Sequence, residues 1–219
     1  MTMKLYFAPG ACSFVPHVLL EATGQPFEPV MVKLHKKEQD SAEYRAINPR
    51  GQVPVLVDGQ AVITQIQAIV GYLHDRFPQM HFLPSEPLAR ARVVETLAWM
   101  NNTAHPTFTH VFMPWKFVAA PEAQEPVKAH NIEVYRGLLA ELEARVAQAA
   151  AQGQPWLAGE HLGPLDAYAL TLLRWGGFAG IDPIGLPALW AHAQKLAQHP
   201  AAARAIERER LQLNVYKPA

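Results

Sequence analysis

Four short segments carry side chains that could do chemistry. The first is Tyr6-Phe7-Ala8-Pro9-Gly10-Ala11-Cys12-Ser13. A β-prone run, a Pro-Gly turn pair and a helix start follow one another there. A helix N-terminus offers unpaired N–H groups and partial positive charge, which lower a thiol's pKa and stabilise a bound thiolate. Cys12 or Ser13 would then meet a sulfur nucleophile; alternatively Ser13 only caps the helix and Cys12 is a small hydrophobe. The second segment is Gly51-Gln52-Val53-Pro54-Val55. Either the Val53-Pro54 bond is cis, turning the Val53 backbone toward an extended peptide ligand, or Pro54 belongs to an edge strand. The third, Thr64-Gln65-Ile66-Gln67-Ala68-Ile69, joins a strand to a helix. Exposed amides there would receive a carboxylate, with Gln65 as a cap or a ligand contact and Ile66 better suited to packing. The fourth is His105, beside Asn101 and Asn102 and directly before Pro106, which calls for a kink or a helix break.

These residues need a scaffold. Lys4 to Phe7 reads as a strand, and a helix with Ser13 as its N-cap buries Phe14, Val18 and Leu19 and stops at Gly24. Glu28 to Leu34 is a second strand, and residues 36–49 form a polar loop with one helical turn. Val53 to Val57 and Ala61 to Ile63 flank Asp58-Gly59, a hairpin signal. Ile66, Ile69, Val70 and Leu73 recur at helical spacing between Gln65 and Phe77. The predicted order is βαβαββα over residues 1–80, with a mixed four-stranded sheet. Pro84 and Pro87 mark a linker at 81–88, and residues 89–219 read as all α. Within them Leu88 to Thr103 is helical by composition, and Tyr135, Leu138, Leu142, Val146 and Ala149 form one apolar stripe. Leu165 to Trp175 is an apolar helix that belongs inside, and two shorter helices fall near 187–198 and 200–210.

Composition excludes several classes. Half of the 219 residues are apolar and 17% are charged, as in ordinary globular proteins. Lys plus Arg equals Asp plus Glu at 19 each, so no basic excess points to nucleic acid. The single cysteine rules out an intramolecular disulfide, and a reducing compartment follows as the default. No stretch is apolar enough to span a membrane, and the N-terminus lacks the apolar core of a secretory signal. The expectation is a cytoplasmic protein with no membrane partner. The ten histidines are scattered, His105 and His110 are five apart where helical metal ligands need four, and no metal site is predicted.

Lys4-Leu5-Tyr6 with Pro9-Gly10-Ala11-Cys12-Ser13 and Pro16-His17, then Ile47-Asn48-Pro49-Arg50-Gly51-Gln52-Val53-Pro54-Val55-Leu56, resemble the cytosolic glutathione transferase family, most of all its bacterial β class. Ala68-Ile69 with Tyr72-Leu73, and Asp166-Ala167-Tyr168 at the head of the apolar helix, extend the likeness over nearly the whole chain. The resemblance implies a thioredoxin-like N-terminal domain, an all-α C-terminal domain and a homodimer. It implies a transferase that joins the glutathione thiolate to a small hydrophobic electrophile, as in detoxification, with glutathione as co-substrate and no other cofactor. Cys12, Ser13, Tyr6 and His105 would lie near the sulfur. Val53 and Pro54, with Gln52, would face the cysteinyl residue, Gln65 and Ile66 the γ-glutamyl end, and Lys36 or Lys37 the glycine carboxylate. Phe112, Met113, Trp115 and Phe117 would wall the electrophile, or else pack in the helical core.

The chain departs from the family pattern in four places. Gln65 stands where β-class relatives commonly have glutamate. Ile66 replaces a small or hydroxylated residue, adding bulk and losing a hydrogen bond to a charged group worth about 1.5–3 kcal/mol. Pro106 follows His105 where a lysine is usual, and Gly163 stands at the cap position before Asp166. Two alternatives accompany the transferase: thiol–disulfide exchange through Cys12, and a non-catalytic binding protein whose glutathione affinity Ile66 has weakened.

Overall fold

The computed structural model describes residues 2–218. Strand β1 (Met3–Phe7) leads through a tight turn to α1 (Phe14–Thr23), followed by β2 (Phe27–Met31), α2 (Ala42–Ile47), β3 (Val55–Asp58), β4 (Ala61–Thr64) and α3 (Ile66–Arg76). The sheet order is β2-β1-β3-β4, with β1 and β2 parallel and the remaining pairs antiparallel. Side chains alternate along β1 as the pleat requires. Met3, Leu5 and Phe7 enter the main core with Phe14, Val18, Ile69 and Leu73 from α1 and α3. Tyr6 faces the opposite side of the sheet, against a smaller cluster of Val32, Tyr44 and Val55. This is the βαβαββα order read from the sequence, in the thioredoxin-like arrangement that the family resemblance implies.

The rest is helical. Helices α4 (Pro87–Trp99) and α5 (His105–Phe112) are joined by a π-helical turn, Met100–Ala104, and α6 (Pro121–Ala151), α7 (Pro164–Phe178), α8 (Pro187–Gln198) and α9 (Pro200–Glu209) follow. Pro106 does not break the rod. The wide turn immediately before it absorbs the missing N–H and the ring, a role π-bulges often play near functional sites. Every residue of α7 from Pro164 to Gly177 is buried, and both α7 and α9 lie against α1. Backbone approach there is close: a Cβ at Gly177 would sit 2.7 Å from the Tyr216 nitrogen, so the C-terminal segment docks only on a glycine.

Several local expectations need correction. Ser13 makes no side-chain cap on α1, for reasons given below. The second strand covers Phe27–Met31 rather than reaching Leu34, and β3 starts at Val55 rather than Val53. In α6 the fully buried stripe runs through Leu139, while Leu138 is only partly buried against the same core; both choices keep three- and four-residue spacing, and packing decides between them. Gly163 contributes no cap side chain, and Asp166 compensates. Its Oδ2 accepts from the Gly163 N–H (2.9 Å), and its Oδ1 accepts from the Leu157 N–H (2.9 Å) and lies 3.0 Å from His192 Nε2.

Candidate active site

The turn between β1 and α1 is organised by Ser13. Its buried hydroxyl accepts from the Ala8 N–H (3.1 Å) and donates to the Ala8 carbonyl (3.2 Å), tying both ends of the turn together. The same hydroxyl is therefore spent before it reaches the helix end. Cys12 is 7% exposed, and its thiol points at the Val53 carbonyl, 3.8 Å away. Burial pushes that thiol up to about 12, against the pull of the Cys12 and Ser13 N–H groups and aided by Glu209. The helix end acts in the expected direction, but desolvation is the larger effect, so Cys12 is a neutral thiol rather than an activated one.

The helical part grips this turn from two sides. The Gly10 N–H donates to Glu209 Oε2 at the end of α9 (2.8 Å), and the Gly10 carbonyl accepts from Trp175 Nε1 of α7 (2.9 Å). The other oxygen of Glu209 meets His17 Nδ1 of α1 at 2.7 Å, with both side chains fully buried. Gly10 has φ +70°, which favours glycine, and the Arg174 guanidinium lies over it, 2.9 Å from where a Cβ would stand.

His105 approaches from α5. Its ring lies 4.6 Å from that of Trp175, and Nδ1 is 2.9 Å from the Tyr168 hydroxyl. Burial lowers its pKa to about 4, which makes it a neutral imidazole at physiological pH. Tyr168 is buried enough to be held well above the usual phenol value, with the Cys12 sulfur close enough to add to the shift. From Trp175 a run of rings leads outward: Phe108 at 4.8 Å, Phe112 5.5 Å beyond it, and Phe178 at 5.9 Å from Phe112. Phe112 and Phe178 are each about half exposed, at 50% and 53%. Met113 ends α5, Trp115 is exposed, and Phe117 instead stacks on His110 at 3.7 Å.

The Val53-Pro54 bond is cis. The loop before it is held by two donors on one acceptor: the Gln52 carbonyl receives the Tyr44 hydroxyl (2.8 Å) and Asn48 Nδ2 (2.7 Å). Gln65 occupies φ +72° at the start of α3, a region that costs a non-glycine residue on the order of 1–3 kcal/mol. Gln65→Gly is expected to raise unfolding stability by about 1 kcal/mol once the added chain entropy of glycine is subtracted, as urea unfolding would reveal. Ile66 corrects an expectation about bulk. It is 3% exposed and belongs to the main core, so its side chain leaves the surface while its N–H stays in the unpaired first turn of α3. Tyr6 pairs with Tyr44 (5.8 Å) and lines a shallow cleft of about 250 Å³ with Glu38 and Ser41. Lys36 and Lys37 are exposed beyond β2.

The structure thus brings Cys12, Val53, His105 and the aromatic run around one turn, with Gln65 and Ile66 at the neighbouring helix end. Glu209, Trp175, Tyr168 and Asn101 are the residues that sequence reasoning missed as parts of this site. Tyr168 and Trp175 sit in a helix whose apolar character signals only burial, and Glu209 lies in a charged run that reads as a solvated surface. Among the described residues, no three His, Cys, Asp or Glu side chains could hold a metal, and no helix is long and apolar enough to cross a membrane.

A thioredoxin-like sheet whose β1–α1 turn faces a cis-proline loop, closed over by a helical layer, defines a thiol-handling class of proteins. Residues 1–75 match the model of the glutathione S-transferase N-terminal domain. The chain is 32% identical to glutathione S-transferase GstA of Escherichia coli O157:H7 over 95% of its own length and all of that protein. It is 35% identical to glutathione S-transferase GST-4.5 of Xanthomonas campestris, with 95% and 100% covered. A sphingomonad glutathione S-transferase, solved in complex with glutathione, superimposes with a TM-score of 0.80 at 33% identity, over 95% of this chain and 100% of that one. The chain belongs to the glutathione S-transferase family.

Proposed function

We propose that the protein is a glutathione transferase, which binds reduced glutathione across the N-terminal sheet and presents its thiolate to an electrophile. The observation that carries this is the convergence of the β1–α1 turn, the cis Val53-Pro54 loop and the neutral His105 on one point. The γ-glutamyl carboxylate would take the unpaired N–H groups at the start of α3, with the Gln65 amide beside it. The cysteinyl residue would pair with the Val53 backbone next to Pro54 and Gln52, and Lys36 or Lys37 would reach the glycine carboxylate. The thiol would then lie between Cys12 and His105. The half-exposed rings of Phe112 and Phe178 supply an apolar wall for the electrophile. Ser13 shapes the turn, and Tyr6 serves the α2 side of the sheet.

The raised pKa of Cys12 speaks against thiol–disulfide exchange as the main activity. We read residues 1–80 as the glutathione-binding domain, 81–88 as the linker and 89–219 as the helical domain. The reading includes a homodimer, favoured by exposed Val62 on the edge strand β4 and by Leu88 and Val94 on α4, and a cytoplasmic, detoxifying role. The test is conjugation of reduced glutathione to a panel of activated aryl halides, epoxides and unsaturated carbonyls. Wild type should turn over at least one class saturably in glutathione, and His105→Ala should cut kcat/KM about ten- to a hundredfold. No turnover of any class would contradict the proposal.

A further inference from the structure

The Tyr168 hydroxyl stands between Asn101 and His105. Asn101 Nδ2 donates to Asn102 Oδ1 (2.9 Å), which turns Asn101 Oδ1 toward α7. The Tyr168 hydroxyl donates to that oxygen at 3.2 Å. With its one proton given to Asn101, the hydroxyl is placed to accept from His105 Nδ1, 2.9 Å away. In that arrangement the imidazole carries its proton on Nδ1 and Nε2 keeps its lone pair, with no hydrogen-bond partner among the described residues. The ring plane is fixed as well, by Trp175, whose indole is anchored on the Gly10 carbonyl of the turn that holds Cys12. The titratable group in contact with His105 is Tyr168 from α7, which Cys12 from the turn before α1 influences in turn; Glu209 and Arg174 lie against Gly10.

We propose that Tyr168, oriented by Asn101, is a positioning residue that fixes the tautomer of His105 so that Nε2 accepts the proton of the bound glutathione thiol. The inference rests on the transferase reading above and adds a residue to it. In the step, the S–H bond breaks, its electron pair stays on sulfur, and an Nε2–H bond forms. Thiolate and imidazolium carry equal and opposite charge, and the Tyr168 oxygen continues to accept from Nδ1–H. When the thiolate displaces a leaving group, the Nε2 proton passes to that group or to water. Pro106 fits this arrangement: the π-helical turn ahead of it places Asn101 and His105, four residues apart, on the same hydroxyl.

The test compares Tyr168→Phe, which keeps the ring and removes only the hydroxyl, with His105→Ala and the double variant. Nitrogen chemical shifts of His105 should report protonation at Nδ1 in the wild type and a mixture of tautomers in Tyr168→Phe. Glutathione affinity by calorimetry should stay within about twofold, because no contact to glutathione changes. kcat/KM should fall about tenfold, the thiol pKa of bound glutathione should rise, and the double variant should be no worse than His105→Ala alone. The proposal is overturned if His105 carries its proton on Nε2 in the wild type or keeps one tautomer in Tyr168→Phe. It is equally overturned if the two losses simply add, or if Tyr168→Phe is fully active. Full activity of His105→Ala would likewise overturn it, whereas failure of the wild type to bind glutathione would strike the transferase reading itself, and the tautomer measurement stands apart from that failure.

Discussion

Glu209→Ala should lower unfolding stability by about 2–5 kcal/mol, the largest loss expected from any single side chain that joins the helical part to the β1–α1 turn. The carboxylate accepts from the part-buried Gly10 N–H at 2.8 Å and the fully buried His17 Nδ1 at 2.7 Å. Removing it leaves both without a partner, and each orphaned buried donor costs about 1–3 kcal/mol. Glu209→Gln retains a single carbonyl oxygen and should fall between Ala and the wild type. The measurement is urea unfolding of the three proteins, with comparison of midpoints at constant slope. The loss should also reach the site, since Gly10 opens the turn that places Cys12, and glutathione affinity should weaken in Glu209→Ala more than in the Gln variant. A Glu209→Ala protein as stable as the wild type would mean that α9 does not secure the turn.

Cys12 should be about a thousandfold less reactive toward an alkylating reagent or glutathione disulfide at neutral pH than a free cysteine. A thiol pushed up to about 12 is almost entirely neutral there, whereas an ordinary thiol near 8.5 has several per cent thiolate. The sign for stability follows from the same shift. Folding favours the protonated thiol, so this contribution is complete below the unfolded value near 8.5 and is lost as pH climbs toward the folded value. Alkaline unfolding should therefore be delayed in Cys12→Ala relative to the wild type, as a pH series of melting curves would register. Labelling of Cys12 at the rate of an exposed cysteine would revive the exchange chemistry that burial argues against.

The contrast between Ser13 and Cys12 shows where sequence reading succeeds and where it stops. Local periodicity and turn chemistry located the β1–α1 turn, the Asp58-Gly59 hairpin, α3 and the apolar α7, because those signals lie within a few residues. They also placed Cys12 at a helix end, which pulls its pKa in the expected direction. What they do not carry is the depth of that end within the fold: burial against Val53 and the helical layer reverses the net shift. Ser13 has the residue type of a cap, and the same hydroxyl serves equally to close the preceding turn; only the backbone angles decide. Sequence makes Ile66 an obstacle in the γ-glutamyl site because it gives the position on α3 but not the face to which the side chain turns. Glu209, Trp175 and Tyr168 lie some 160 to 200 positions from Gly10 and Cys12, and no spacing rule links them. The partners of Asp166, two backbone N–H groups and His192, are hidden from sequence for the same reason.

The central claim is that glutathione is held by backbone groups at the start of α3 and by the cis-proline loop, with Ile66 turned into the core and out of the way. Calorimetric titration of wild type and Ile66→Ser with reduced glutathione tests it most directly. The wild type should bind saturably, with an affinity on the order of micromolar to low millimolar, and Ile66→Ser should bind no more tightly while losing stability. Absence of saturable binding in the wild type, with binding restored by Ile66→Ser, would contradict it.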